Sequence, residues 1–181
     1  MSTRTPYLIA ALLALCTACA PVTTRWDYDP EVDFTHYKTF NWMPADDQAD
    51  RADQADKDWD HPFVDKRIEQ ALIIALKSKG FEKTVAQPDL LVAYRFTVKQ
   101  KTAVHVYDPP YPYHPYWGPQ PTQVQHLSEG TLIIDLVDPQ TRQLVWRGWG
   151  VGDFGAATRP DLAPEYLKTT VKAILKNYPP Y

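Results

Sequence analysis

The sequence predicts an α+β domain of two layers: a mainly antiparallel sheet with two helices on one of its faces, in the order β-β-α-β-β-β-α. Three patterns carry that prediction. Two segments place apolar residues at every third or fourth position on one side only, as a helix with a single buried face does. Other segments alternate apolar and polar residues with a period of two, as half-buried strands do. A short turn then joins two alternating segments, making them antiparallel neighbours and leaving two one-sided helices to cover the sheet.

Taken in order, Val22 to Tyr28 is rich in β-forming residues and is broken by Asp29-Pro30. Tyr37 to Trp42 is a second strand, with Tyr37, Thr39, Phe40 and Trp42 favouring extended backbone and Pro44 closing it. Pro62 to Lys79 is the first helix. Val64, Ile68, Leu72 and Leu76 form one stripe, with Ala71 and Ala75 beside it. Asp60 or His61 can cap its start, and Pro62 suits a first turn, where a missing N–H costs nothing. Gly80 is placed to take positive φ just past the end, and Phe81 to touch Leu76 across a Schellman cap.

Asp89 to Lys99 alternates, with Leu90, Val92, Tyr94, Phe96 and Val98 on one side. Glu129 to Asp138 does the same with Leu132, Ile134 and Leu136. Asp138-Pro139-Gln140-Thr141 has turn chemistry, and Leu144 to Val151 is the returning strand of a hairpin. Within it Trp146 is expected to fill the core beneath a helix, with Arg147 simply pointing outward; a second reading makes Arg147, with the Asp135 strand, part of a recognition face. Gly148 and Gly150 mark a bulge or close packing under a helix. The second helix runs from about Pro164 to Asn177, with Leu167, Val171, Ile174 and Tyr178 on one side. Lys168, Lys172 and Lys176 lie on another, as a solvated face, and Pro179-Pro180 end the helix.

Two stretches fit neither period. Residues 44–60 form an acidic loop with seven aspartates between Asp46 and Asp60, lacking the glycine and the ligand spacing of a calcium loop. Residues 107–121 form a Pro/Tyr-rich loop with six prolines and four tyrosines. That proline density excludes a helix or a central strand. Two readings stay open for Tyr107, Tyr111, Tyr113, Tyr116 and Trp117. They are a platform for a partner or a sugar ring, or they fold over the uncovered face of the sheet and bury their rings there.

The N-terminus carries an address. Arg4 precedes an unbroken apolar run, Tyr7 to Leu15, of signal-peptide length and too short to span a bilayer. Thr17-Ala18-Cys19 resembles a lipobox, although Cys16 stands where leucine is usual. Ala18 and Ala20 also form an A-x-A site for ordinary cleavage, but Pro21 fits poorly beyond that scissile bond. Residues 1–18 are therefore read as a lipoprotein signal peptide and Cys19 as the lipid acceptor, leaving 19–181 as a single domain. Cys16 and Cys19 are the only cysteines, so processing leaves no disulfide and no free thiol. More than one acyl chain is needed for firm anchoring, and this modification supplies them. Ala20 follows the acceptor, where aspartate would resemble an inner-membrane retention signal. The expected location is thus the inner leaflet of an outer membrane, facing the periplasm.

Composition and motifs narrow the function. A formal net charge of −3, without a Lys/Arg stripe, gives no field for holding nucleic acid. No nucleophile elbow, zinc helix, P-loop or dinucleotide fingerprint occurs. Glu129 and Asp135 share a strand face, which is the weakest form of an acid–base pair. His105, His114 and His126 lack metal-ligand spacing, and His36 and His61 sit in turn-like contexts. No catalytic residue, metal or cofactor is expected.

Several blocks resemble a known family. Tyr28-Asp29-Pro30, then Asp33-Phe34 and Tyr37-Lys38-Thr39-Phe40 with Trp42, is similar to the opening of the DUF4136 lipoproteins. Lys79-Gly80-Phe81 and Pro88-Asp89-Leu90-Leu91-Val92 with Tyr94 resemble its middle block. Glu129 to Asp138 and Leu144-Val145-Trp146-Arg147-Gly148 resemble its hairpin, and the helix ending in Tyr178-Pro179-Pro180 completes the order. Residues 107–121 depart from the Gly-rich character the family often has there. The resemblance implies an envelope lipoprotein and supplies no activity, cofactor or catalytic residue. The expected function is a non-enzymatic interaction or structural module, tethered to a membrane by lipid, whose sheet face or aromatic loop contacts another envelope component. The alternative is a lipoprotein binding glycan or peptidoglycan through the aromatic loop, and a third, weaker reading is an envelope hydrolase.

Overall fold

The computed structural model describes residues 22–44, 62–105 and 123–180. Cys19, the acidic loop and the five aromatic residues of 107–121 lie outside the described residues. Six strands form one sheet: β1 (Val22–Tyr28), β2 (Thr39–Trp42), β3 (Glu82–Lys83), β4 (Leu90–His105), β5 (Gln123–Val137) and β6 (Leu144–Asp153). Their spatial order is β1-β6-β5-β4-β2-β3. Helix α1 (Pro62–Ser78) lies between β2 and β3 in the chain, and α2 (Ala163–Ile174) follows β6. The α+β class and the β-β-α-β-β-β-α order both hold, with β3 inserted as a two-residue strand that has too little sequence to show a period.

The antiparallel part runs from β1 through β6 and β5 to β4. The pairings β4–β2 and β2–β3 are parallel, so the sheet is mixed. Parallel neighbours need a crossover, and α1 supplies it. A carboxylate fixes this junction. Asp89 Oδ2 accepts from the backbone N–H of Lys38 at 2.9 Å and of Thr39 at 2.8 Å, and from the Thr39 hydroxyl at 2.8 Å. The Asp89 N–H in turn donates to Thr39 Oγ1 at 3.0 Å. The donated hydrogen bonds, from the Lys38 backbone first and then the Thr39 hydroxyl, hold the Asp89 carboxyl below its ordinary range.

Helix α1 buries Val64, Ile68, Ala71, Leu72, Ala75 and Leu76, the stripe its periodicity predicts. It ends in a Schellman cap: Phe81 N–H donates to Leu76 O at 3.1 Å and Gly80 N–H to Lys77 O at 3.0 Å. Gly80 has φ 89°, where any side chain would be strained. Helix α2 begins one residue before Pro164 and gives way after Ile174 to a 3₁₀ turn, Leu175–Asn177. The predicted helix to Asn177 thus closes in a tighter turn. Tyr178 is nonetheless buried, edge-on to Trp146 with ring centroids 5.3 Å apart.

Both helices share one core with the even-numbered positions of the long strands: Val92 of β4, Leu132, Ile134 and Leu136 of β5, and Trp146 of β6. Gly148 lies on this face because there is no room for more. A Cβ there would stand 2.2 Å from the Trp146 ring and 2.8 Å from Ile174. Gly150 would meet Ile174 and Val22, both at 3.1 Å. These glycines mark close packing beneath α2, and the bulge lies elsewhere. The β5–β6 register shifts between Leu136 and Val137, beside the turn. There Asp138 Oδ1 accepts from the N–H groups of Gln140 and Thr141, while Arg142 takes a positive φ of 57°.

Strands β4 and β5 continue past the end of β6, pairing as far as His105 and Gln123. They run longer than the alternation from Asp89 to Lys99 and from Glu129 suggests. β6 already stops at Asp153, opposite Glu129, so among the described residues the outer part of this hairpin is two-stranded.

Candidate functional site: the helix-free face of the sheet

The bulge at Leu136/Val137 decides what the second face of the sheet carries. Near the turn the pairing is Val137 with Leu144; beyond it, Leu136 faces Trp146 and Asp135 faces Arg147. Without the extra residue, Asp135 would stand opposite Trp146 and the two strands would present mismatched faces. With it, Val145 and Trp146 both enter the core, and Asp135 and Arg147 meet on the other side. The guanidinium donates through Nε to Asp135 Oδ1 and through a terminal nitrogen to Oδ2, each at 2.6 Å. Asp135 is 5% exposed and the Arg147 side chain 38%, so the carboxylate sits under its partner. The bidentate bond raises the Arg147 pKa further above its usual value.

Three rows of side chains cross this face from β1 to β4. One holds Thr23, Val151, Thr131 and Thr97; the next Arg25, Trp149, Ile133 and Arg95; the third Asp27, Arg147, Asp135 and Ala93. From Ala93 of the third row onward, a small apolar cluster with Met43, Val137, Leu91 and Leu144 closes the turn end. Among the described residues, both helices pack on the opposite face. Trp149, Ile133 and Val151 remain partly exposed, and Arg25 and Asp27 are exposed. The face therefore combines an aromatic ring, aliphatic side chains and guanidinium groups on a rigid sheet.

The other sequence candidates fall apart or lie elsewhere. Glu129 and Asp135 are six residues apart on one strand, about 20 Å, beyond the separation of paired catalytic carboxylates. Asp135 is committed to Arg147 besides. Among the described residues, no three His, Cys, Asp or Glu side chains gather in a metal-binding arrangement. His36 lies against Tyr37 with ring centroids 4.2 Å apart and planes tilted by 48°.

A cleft of about 270 Å³ that the sequence did not point to opens between the Phe34–Lys38 turn and the end of α1. Phe34, Tyr37, Lys38, Lys79, Phe81 and Pro179 line it. Burial pushes the Lys79 ammonium below its ordinary pKa. Burial first, and then the neighbouring Asp138, push the Tyr37 phenol up to about 12. Its hydroxyl points at Asp138 Oδ2, 3.4 Å away.

The model of the family described as a domain of unknown function, DUF4136, matches residues 24–180. The chain belongs to that family. The blocks that resemble the family in sequence meet in space: Thr39 and Asp89 lock the opening block to the middle one, and Asp135 and Arg147 join the two strands of the hairpin. Among solved structures, the DUF4136 domain is similar to a PDZ domain protein from Parabacteroides distasonis, with TM-score 0.52 and 14% identity. That match covers 88% of this chain and 35% of the other, so the chain spans about a third of that protein's length. It shows a shared fold. The DUF4136 domain also resembles, at TM-score 0.43, the PelC dodecamer of Paraburkholderia phytofirmans in two crystal forms, at 12% and 11% identity. Those matches cover 85% of this chain and 94% and 95% of the others. No curated protein matches the chain.

Proposed function

We propose that this DUF4136 chain is a non-enzymatic module of the bacterial envelope, tethered by lipid on Cys19 and docking onto an envelope protein through the helix-free face of its sheet. The observation that carries this reading is the make-up of that face. Arg25, Trp149, Ile133 and Arg147 stand on rigid strands, and arginine and tryptophan are the residue types that anchor protein interfaces. The Asp135 carboxylate fixes the Arg147 side chain, so less rotamer freedom is lost on binding. The tether fits this use: β1 starts at Val22, three residues after Cys19, so a lipid on Cys19 would hold the sheet edge close to a leaflet. Ala20 after the acceptor favours the outer membrane, with the domain facing the periplasm.

The test is a photo-crosslinking amino acid placed at Trp149 on this face, and separately at Lys168 on the exposed side of α2, in the full chain in its own envelope. A discrete protein adduct at Trp149 and none at Lys168 is the expected result. Equal adducts at both positions, or none at Trp149, would remove the face from consideration. Deleting 107–121 then separates face from loop. Loss of the adduct on deletion assigns part of the contact to the aromatic segment. Sedimentation with purified peptidoglycan, lost on changing Tyr113, Tyr116 and Trp117 to Ala, would favour the glycan-binding reading instead.

A further inference from the structure

The two edges of the sheet differ. At one edge β3 is two residues long, both charged and exposed, which leaves almost nothing for another strand to pair with. At the other, β1 offers seven residues, bounded in sequence by Pro21 and Pro30. Its hydrogen-bonding phase can be read. The Asp29 N–H donates to Val145 O at 3.0 Å, which places the odd-numbered residues of β1 with their backbone groups toward β6. The even-numbered residues Thr24, Trp26 and Tyr28 then point theirs outward. In keeping with this, the Tyr28 N–H finds no ladder partner and takes Asp27 Oδ1 of its own chain at 2.9 Å. Trp26, 38% exposed and stacked on Tyr28, lies along the same edge.

We infer that β1 pairs antiparallel with β1 of a second copy, about a two-fold axis through Trp26, joining two six-stranded sheets edge to edge. Phase limits the registers, and among them only an axis at Trp26 sets Arg25 opposite Asp27. Only pairings that set even residues opposite even residues let the outward backbone groups meet. A two-fold axis at Arg25 sets Arg25 against Arg25, and one at Asp27 sets Asp27 against Asp27. Like charges directly opposite are destabilising. With the axis at Trp26, Arg25 faces the other copy's Asp27 twice, Thr24 faces Tyr28 twice, and the two Trp26 rings meet on the helix side. Arg25 makes no ion pair among the described residues, so it is available for this. On pairing, the Tyr28 N–H passes from Asp27 to the carbonyl of Thr24 in the second copy, and Asp27 is released to Arg25.

The experiment uses the full chain in its membrane under mild oxidation. Opposed Cα atoms in a hydrogen-bonded antiparallel pair lie about 5.5 Å apart, within disulfide range. Trp26→Cys is therefore expected to give a disulfide dimer on a non-reducing gel, and the unsubstituted chain none. Thr24→Cys is expected to give little, because its symmetry mate lies four residues away, about 13 Å. Arg25→Asp or Asp27→Arg, both at exposed positions, should lower the dimer yield from Trp26→Cys roughly tenfold. The double reversal Arg25→Asp/Asp27→Arg should restore it. A thermal melt of each variant separates loss of pairing from loss of fold. Absence of a Trp26→Cys disulfide in a folded variant, an equal yield from Thr24→Cys, or failure of the double reversal to rescue would each overturn the pairing.

Discussion

Replacing Arg147 by Leu tests whether the second face of the sheet is built around its ion pair. The substitution keeps the apolar stem but removes both hydrogen bonds to Asp135, leaving a carboxylate that is 5% exposed without its cation. Breaking a fully buried pair costs about 3–5 kcal/mol. Here the guanidinium side chain is 38% exposed, so water screens the pair and the loss is discounted to about 2 kcal/mol. For a domain of this size that corresponds to a fall in Tm of roughly 4–8 °C. Asp135→Leu alone should cost less, because the remaining guanidinium can turn to water. The double variant should recover most of the stability, since replacing both partners with apolar groups removes the desolvation penalty as well. Urea unfolding followed by tryptophan fluorescence gives the four free energies of the cycle. A coupling energy near zero, or an Arg147→Leu variant as stable as the parent, would refute the reasoning.

Other consequences follow from particular contacts. Gly148→Ala forces a methyl to within 2.2 Å of the Trp146 ring and should cost about 2–3 kcal/mol in urea melts, whereas Gly80→Ala meets no atom and should cost only about 1 kcal/mol through its positive φ. Asp89 has a folded pKa below its unfolded one. Its contribution is therefore complete above about pH 4 and is lost as the pH falls toward the folded value. Asp89→Asn should destabilise the chain at pH 7 and flatten the acid limb of its stability profile, and an unchanged acid limb would count against the Thr39–Asp89 junction. Tyr37, raised to about 12, is an acid whose neutral form the fold favours. Stability from this group is intact below about pH 10 and declines as the pH rises toward 12. Tyr37→Phe should lessen that alkaline loss, read as Tm against pH.

Much of the fold was legible because each long element obeys one period. The α1 stripe and the alternation at Leu132, Ile134 and Leu136 predict the buried sets directly, and Gly80 with Phe81 predicts the cap. The parallel placement of β2 was not legible. It rests on Asp89 reaching Thr39 across fifty residues, a contact with no local pattern. β3 was missed because two residues cannot show alternation. The face itself was half legible. Periodicity puts Arg147 outside and Trp146 inside, but it does not tell an Arg147 that simply points outward from one that joins the Asp135 strand. The single inserted residue near the turn, which sets Arg147 opposite Asp135, has no signature beyond the apolar run Leu144-Val145-Trp146. The cleft beside Tyr37 and Lys79 arises where separate segments meet, and no one of them carries a motif for it.

The tether underlies the proposed role, and mass spectrometry of the mature N-terminal peptide from a membrane fraction tests it most directly. The account predicts a peptide beginning at Cys19 and carrying acyl chains, released from the membrane only by detergent. A free N-terminus at Pro21, or an intact Met1, would contradict it and leave a domain that reaches its partners without a lipid anchor.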